Sequence, residues 1–445
     1  MKLWIQLQPK RSFILAATFL LTLARAQAQV PTPGDPQEQA IIVLGGTVHI
    51  GNGEVIENGA VAFENGEITM VGSASEAQNM DLSGYEQIQA EGKHIYPGFI
   101  LPDTDLGLVE IGAVRATVDN EEEGSLNPNV RSIISYNTDS ELIPTFRFNG
   151  ILSAQIVPEG GMIPGTSSIV QLDAWNWEDA AVVMDDAMHM NWPGRFRTEF
   201  DYSTYTIKRV ANERYPEQVQ KLKDLFEDAV AYHALEDNKT VNLKLDALQN
   251  LFNGNKALHI HAEEAGEIAE AVIFAKEQGV ERVVVVGGYE AYLVADLLKE
   301  HNVPVIVDNV HRLPVREEND VNLPYKLPNM LKEAGLKVSL AYRIGMNSRS
   351  RNLPFLAGTA AAYGLGKEEA LKMITANTAE ILGIDDILGT LEQGKHATLF
   401  VSAGDALDMR TNQVEHAFIQ GRKVKLDAMQ QRLFEKYKEK YSQSE

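Results

Sequence analysis

Apolar residues recur along this chain in two rhythms. Between about residues 40 and 95, short runs such as Ala40-Ile41-Ile42-Val43-Leu44 and Ala60-Val61-Ala62-Phe63 are punctuated by Asn52-Gly53, Asn58-Gly59 and Asn65-Gly66. Asn-Gly readily supplies the two positive φ angles of a two-residue hairpin turn, so this stretch predicts a small antiparallel β module. The texture returns in His396-Ala397-Thr398-Leu399-Phe400-Val401 and Glu415-His416-Ala417-Phe418-Ile419, ahead of Gly421-Arg422. The two end segments are therefore expected to share one sheet domain.

Between them the rhythm changes to strand-helix alternation. Ala257-Leu258-His259-Ile260-His261 predicts a strand, residues 264–278 a helix, Arg282-Val283-Val284-Val285-Val286 a buried strand, and residues 291–301 a helix. Pro304-Val305-Ile306-Val307 is the next strand, followed by a helix over 327–334 and the strand Leu336-Lys337-Val338-Ser339-Leu340. Repeated β-α units predict an α/β fold, a parallel sheet buried under helices as a barrel or a doubly wound sheet. No Gly-x-Gly-x-x-Gly follows a strand, which removes support for a dinucleotide site. Residues 203–255 are polar, with Val219, Leu222, Leu225 and Phe226 at helical spacing, and predict a solvated helical excursion.

The N-terminus has a third character. Lys2, Lys10 and Arg11 precede an apolar run over 12–24, and Ala24-Arg25-Ala26 offers a small-x-small cleavage site. This predicts a secretory signal peptide over 1–26, export to a periplasm, and no membrane span in the mature protein, because the run falls short of the ~20 residues a spanning helix needs. Pro31-Thr32-Pro33-Gly34-Asp35-Pro36 then makes 27–39 a stiff linker.

Composition narrows the chemistry. The 445 residues carry 40 Lys+Arg against 62 Asp+Glu, a net charge of −22, which excludes binding nucleic acid through a basic surface. There is no cysteine, so disulfides, thiolate metal sites and a Cys nucleophile are excluded. No Gly-x-Ser-x-Gly elbow supports a serine hydrolase.

Three ordered stretches together resemble the amidohydrolase superfamily, in particular its imidazolonepropionase-like branch. They are Gly45-Gly46-Thr47-Val48 with Ile95-Tyr96-Pro97-Gly98-Phe99-Ile100; His261-Ala262-Glu263; and Arg351-Asn352-Leu353-Pro354-Phe355 through Ala376-Asn377-Thr378-Ala379-Glu380 to Gly389-Thr390-Leu391-Glu392-Gln393-Gly394. The resemblance implies a (β/α)8 TIM-like barrel flanked by a small β-sandwich formed from both chain ends. Its barrel would run over 97–390 with the insertion at 203–255, its sandwich over 40–96 and 391–426, and a polar helix or tail over 427–445. It also implies hydrolysis of cyclic amides or other non-peptide C–N bonds, on a small-molecule or peptide-like substrate, with one or two divalent metals, most often zinc, at the C-terminal barrel face.

The ligand positions of the family are altered in this chain. Where relatives carry His-x-His after the Pro-Gly-hydrophobic-Ile run, this sequence has Asp103-Thr104-Asp105, two carboxylates on one side of a strand. His261 matches the fifth-strand ligand. The sixth-strand histidine falls near Gly287, which has no side-chain donor, and the eighth-strand Asp near Arg343, whose guanidinium cannot act as a base and repels a divalent ion. The fourth-strand ligand matches no residue. This pattern predicts a degenerate site, a pseudoenzyme with weak or no activity, in which Arg343 pairs with Asp103 or Asp105. Its cofactor is none or a single divalent metal, and its partner a homologous amidohydrolase subunit. The alternative is a mononuclear hydrolase using Asp103, Asp105 and His261, three ligands and a water.

Other residues weigh less. His259 shares a face with His261 and is expected as a barrel-interior histidine. Glu263 and Glu264 suit the N-terminal dipole of the following helix. Asp308 and His311, in a loop at a barrel end, are candidate substrate-binding residues. Gly160-Gly161-Met162-Ile163-Pro164-Gly165 lacks the P-loop lysine and is expected as a tight barrel loop.

Overall fold

The computed structural model describes residues 32–235, 240–343 and 347–441. The predicted signal peptide lies outside the described residues. Among the described residues no helix is long and apolar enough to cross a membrane.

The chain first lays down β1 (Ala40–His49), β2 (Val55–Glu64), β3 (Glu67–Ser73), β4 (Tyr85–Gln89) and β5 (His94–Pro97). β1-β2 and β2-β3 are antiparallel hairpins. Asn65 (φ 53°) and Gly66 (φ 85°) turn the second, both in the left-handed region that a type I′ turn demands. Asn58-Gly59 behaves otherwise. It stays inside β2 as an irregularity, with Gly59 pressed so close to Val48 that a Cβ would lie 2.6 Å from its Cγ2. The expectation of a purely antiparallel module also needs correction, because β4 and β5 both pair with β1 in parallel. A long return through the short helix Ala74–Ala77 permits that direction, which a tight turn could not.

The central part begins with β6 (Phe99–Thr104) and β7 (Ile151–Ile156), which pair in parallel. Then come β8 (Gly165–Thr166), β9 (Ser168–Gln171), β10 (Ala181–Val183) and β11 (Ala187–Asn191). β9 runs antiparallel to β7 and β10, and β8 antiparallel to β11, so the sheets here are mixed. β12 (Phe196–Asp201) and β13 (Thr206–Ala211) form a separate ribbon. The segment from 203 is therefore not helical at its start. Alternation of Thr206, Lys208 and Val210 against Ile207 and Arg209 favours a strand, and helix begins only with Tyr215–His233.

Regular alternation follows through β14 (Ala257–Ala262), β15 (Val283–Gly287), β16 (Val305–Asp308) and β17 (Val338–Ala341). β11, β14, β15, β16 and β17 are parallel neighbours, in that order. Helices Ala265–Glu277 and Leu323–Glu333 cover their outer side. Both faces of each strand are buried, as in β15, where Val283 and Val285 join the helix-facing core and Val284 and Val286 an inner cluster with Ile306, Ala187 and Ile381. Finally β18 (Leu399–Ser402), β19 (Val414–Ile419) and β20 (Arg422–Lys423) rejoin the first sheet, with β18 antiparallel to β5. Phe63 and Phe418, both fully buried, meet edge-on at 4.9 Å between ring centroids and tie the two chain ends together. The chain closes with the exposed helix Met429–Tyr441.

Candidate metal centre at the strand ends

Parallel strands deliver side chains to one end of the sheet, and here several at or near the strand ends are charged or imidazole: Asp103, His261 and Asp308. Asp103 occupies the penultimate position of β6 and is 1% exposed. Its φ of 50° is a left-handed conformation that Asp tolerates better than most residues, and it coincides with a break in the β6-β7 register. Its N–H donates to Gln155 Oε1 (3.3 Å), and Gln155 Nε2 donates onward to Asp186 Oδ2 (2.6 Å). Burial pushes the Asp186 carboxyl up to about 6, with hydrogen bonds from Ser167 and Gln155 partly offsetting it.

Arg343, two residues beyond β17, reaches across this end. Its Nη1 donates to Asp103 Oδ1 at 2.7 Å, and its Nε and Nη2 contact Glu159 Oε1 at 3.1 and 2.7 Å. Its backbone N–H donates to Asp308 Oδ1 at 2.7 Å. Burial opposes the guanidinium charge, yet Asp103 and Glu159 hold its pKa above the ordinary arginine range. Asp308 is pushed up to about 7 by burial, and Asp105 up to about 6 by burial and the like charge of Glu159. Arg343 thus gathers carboxylates from β6, β16 and the 159 loop.

Beside that ion pair lie histidines. His189 Nδ1 and His261 Nε2 are 2.9 Å apart. Both imidazoles are held below their usual pKa by burial, reinforced for His189 by His259 and His261, so both are neutral near pH 7. Donor atoms of Asp103, His189 and His261 all lie within 4.8 Å of one another. His189 is the residue that sequence reasoning missed. It sits on β11 opposite His259, in the run Ala187-Met188-His189-Met190-Asn191, where a histidine between two methionines in the buried part of the strand was the available signal. Asp105, expected as a ligand, is not in that group. His259 is fully buried with neither ring nitrogen hydrogen-bonded, its ring centroid 5.0 Å from that of His189. His311 Nε2 pairs with Thr359 Oγ1 (2.7 Å), and the residue lines a different cavity with Phe355 and Tyr363.

Gly287 ends β15 with φ 93°, and a Cβ there would stand 3.1 Å from the carboxyl carbon of Glu263. That carboxylate accepts the Tyr289 N–H (3.0 Å) and pairs with Arg312 (3.3 Å). The space a sixth-strand side chain would enter is taken.

The chain belongs to the amidohydrolase family, whose sequence profile matches residues 165–424. Over 52 residues it is 50% identical to the imidazolonepropionase of Bacillus mycoides, a match spanning only 12% of either chain. The amidohydrolase of Thermotoga maritima superimposes with a TM-score of 0.73 at 23% identity, covering 86% of this chain and 99% of the other. A putative prolidase from Bifidobacterium longum does so with a TM-score of 0.51 at 16% identity, over 90% and 100%. The fold is accordingly of the α/β, TIM-barrel type, and members of the family typically bind a divalent metal.

A carboxylate and two imidazoles are suitable donors for a zinc-like ion. The arrangement is not. Arg343 places its positive charge against the third donor, Asp103, where an ion would have to displace it, although the two imidazole nitrogens, 2.9 Å apart, are close enough to face one ion. With Arg343 seated, these residues do not fit a divalent ion.

Proposed function

We propose that this protein is an exported amidohydrolase of the imidazolonepropionase-like branch in which an arginine has taken the place of the metal. In this reading β6 through β17 close as a (β/α)8 barrel, and the sheet built from both chain ends is its flanking sandwich. Hydrolysis of non-peptide C–N bonds is weak or lost, and the strand-end face serves to bind a cyclic or peptide-like ligand or a homologous amidohydrolase subunit in the periplasm. The observation that carries it is the contact of Arg343 with Asp103 at 2.7 Å, backed by Glu159. A half-buried guanidinium supplies the positive charge that the carboxylates need, but no Lewis-acidic centre and no base.

The test compares the wild-type protein with Arg343→Met after purification from zinc-supplemented culture. Wild-type protein is expected to hold far less than one equivalent of metal and to leave cyclic amides and dipeptides intact, while Arg343→Met gains metal. Stoichiometric zinc in the wild type, with turnover of any of these substrates, would overturn the reading. It would favour the second one, a mononuclear hydrolase, which rests on the convergence of Asp103, His189 and His261 rather than on Asp105.

A further inference from the structure

At the opposite ends of the same strands lies a cavity of about 580 Å³. Its wall is formed where β15, β16 and β17 begin, one strand length, roughly 15 Å, from Gly287 and Arg343. Val284, Leu298, Leu336 and Ile381 supply an apolar floor. Around it stand Lys276, Arg282, Lys299 and Lys337, against Glu281 and Glu380, a local excess of positive charge on a protein of net charge −22.

Two of those cations are already engaged. Lys337 is paired with Glu380, and Lys276 donates to the Glu281 carbonyl (2.7 Å). Arg282 and Lys299 have no carboxylate partner among the described residues. Each is seated over a glycine in the left-handed region. A Cβ on Gly383 (φ 74°) would stand 2.9 Å from Arg282 Nη2, and one on Gly335 (φ 87°) 3.0 Å from Lys299 Nζ. The two glycines end the helices Ala376–Leu382 and Leu323–Glu333, so one backbone feature both stops a helix and clears room for a cation at the cavity rim.

We propose that this cavity binds a small anion with an apolar body, its carboxylate or phosphate head held by Arg282 and Lys299 and its hydrocarbon part on Val284 and Ile381. Fork-shaped guanidinium donors suit such heads, and a pocket of a few hundred Å³ suits a ligand of this size. The site is independent of the strand-end cluster and does not require the protein to be an enzyme.

The experiment is titration of the full-length protein by calorimetry and NMR with 2-naphthoate, phenyl phosphate, inorganic phosphate and the neutral 2-naphthalenemethanol. Saturable binding of 2-naphthoate and phenyl phosphate is expected, with weaker binding of inorganic phosphate and none of the alcohol. Affinity for both aromatic anions should fall at least about tenfold in the pair Arg282→Gln and Lys299→Gln. Lys299→Gln alone, on an exposed helix position, should retain the fold and lower affinity by part of that factor. Unchanged affinity in either variant, equal binding of the alcohol, or no saturable binding at millimolar concentration would overturn the proposal. Inorganic phosphate binding as tightly as phenyl phosphate would remove the apolar floor from it.

Discussion

The sheet built from the two chain ends and the charged cluster at the strand ends are held together by different physics. In the sheet, Phe63, Phe418, Ile68, Ile95 and Val401 bury apolar surface without a charged partner, and apolar side chains of similar volume are tolerated there. In the cluster, Asp103 is buried while Arg343, Glu159 and Asp308 are half-buried, and the buried charge of Asp103 is tolerable because Arg343, itself held by Glu159 and Asp308, stands at hydrogen-bond distance. The first arrangement degrades gradually under substitution. The second fails when one member is lost and recovers when its partner is lost too.

That contrast can be broken by measurement. Phe418→Ala should have the largest effect, a loss of about 3–5 kcal/mol in chemical denaturation, because both rings of the edge-on pair are fully buried. Arg343→Met should cost about 3 kcal/mol by leaving Asp103 buried and unpaired, and adding Asp103→Leu should return a large part of it. If the double variant were no more stable than Arg343→Met alone, the cluster would not be a mutually dependent set, and the distinction between the two regions would collapse.

A smaller effect sharpens the comparison through pH. Asp186 holds its proton up to about 6 in the fold, against 3.8 for the ordinary group. Between those values the folded chain retains a proton that the unfolded chain has lost, so stability falls as pH rises from about 4 to about 6, by something on the order of 1–2 kcal/mol. Asp105 and Asp308, also pushed up by burial, add slope of the same sign. Asp186→Asn should therefore lessen the fall in denaturation midpoints across that window without abolishing it, and an unchanged slope would mean that Asp186 is not one of its sources. The smallest effect belongs to the surface of the sheet. Lys93→Met removes the partly exposed pair with Glu415 and should change stability by no more than about 0.5–1 kcal/mol, an amount that salt should erase.

Legibility in the sequence follows the same division. The valine run of β15 and the Asn65-Gly66 turn were readable because period and turn chemistry act over a few residues. Asn58-Gly59 misled because the same φ > 0 preference that turns a hairpin can be absorbed inside a strand when a neighbour such as Val48 crowds in. The parallel placing of β4 and β5 against β1 was equally unreadable, since the returning chain is long enough to take either direction. At the strand ends, spacing along the family pattern picked out Asp103, His261, Gly287 and Arg343. It did not pick out His189, whose meaning depends on lying opposite His259 across a strand pair 70 residues apart in the chain.

What the sequence alone determined is therefore the alternation of strands and helices, the family, and the chemical type of residue available at each strand end. Only the tertiary structure decided which of those residues meet: that Arg343 takes Asp103 and Glu159 rather than standing free, that His189 joins His261, and that Arg282 and Lys299 rim a cavity on the other face. The reason is range. Periodicity is enforced between neighbours in the chain, whereas an ion pair across 240 residues forms only after the strands have been set side by side.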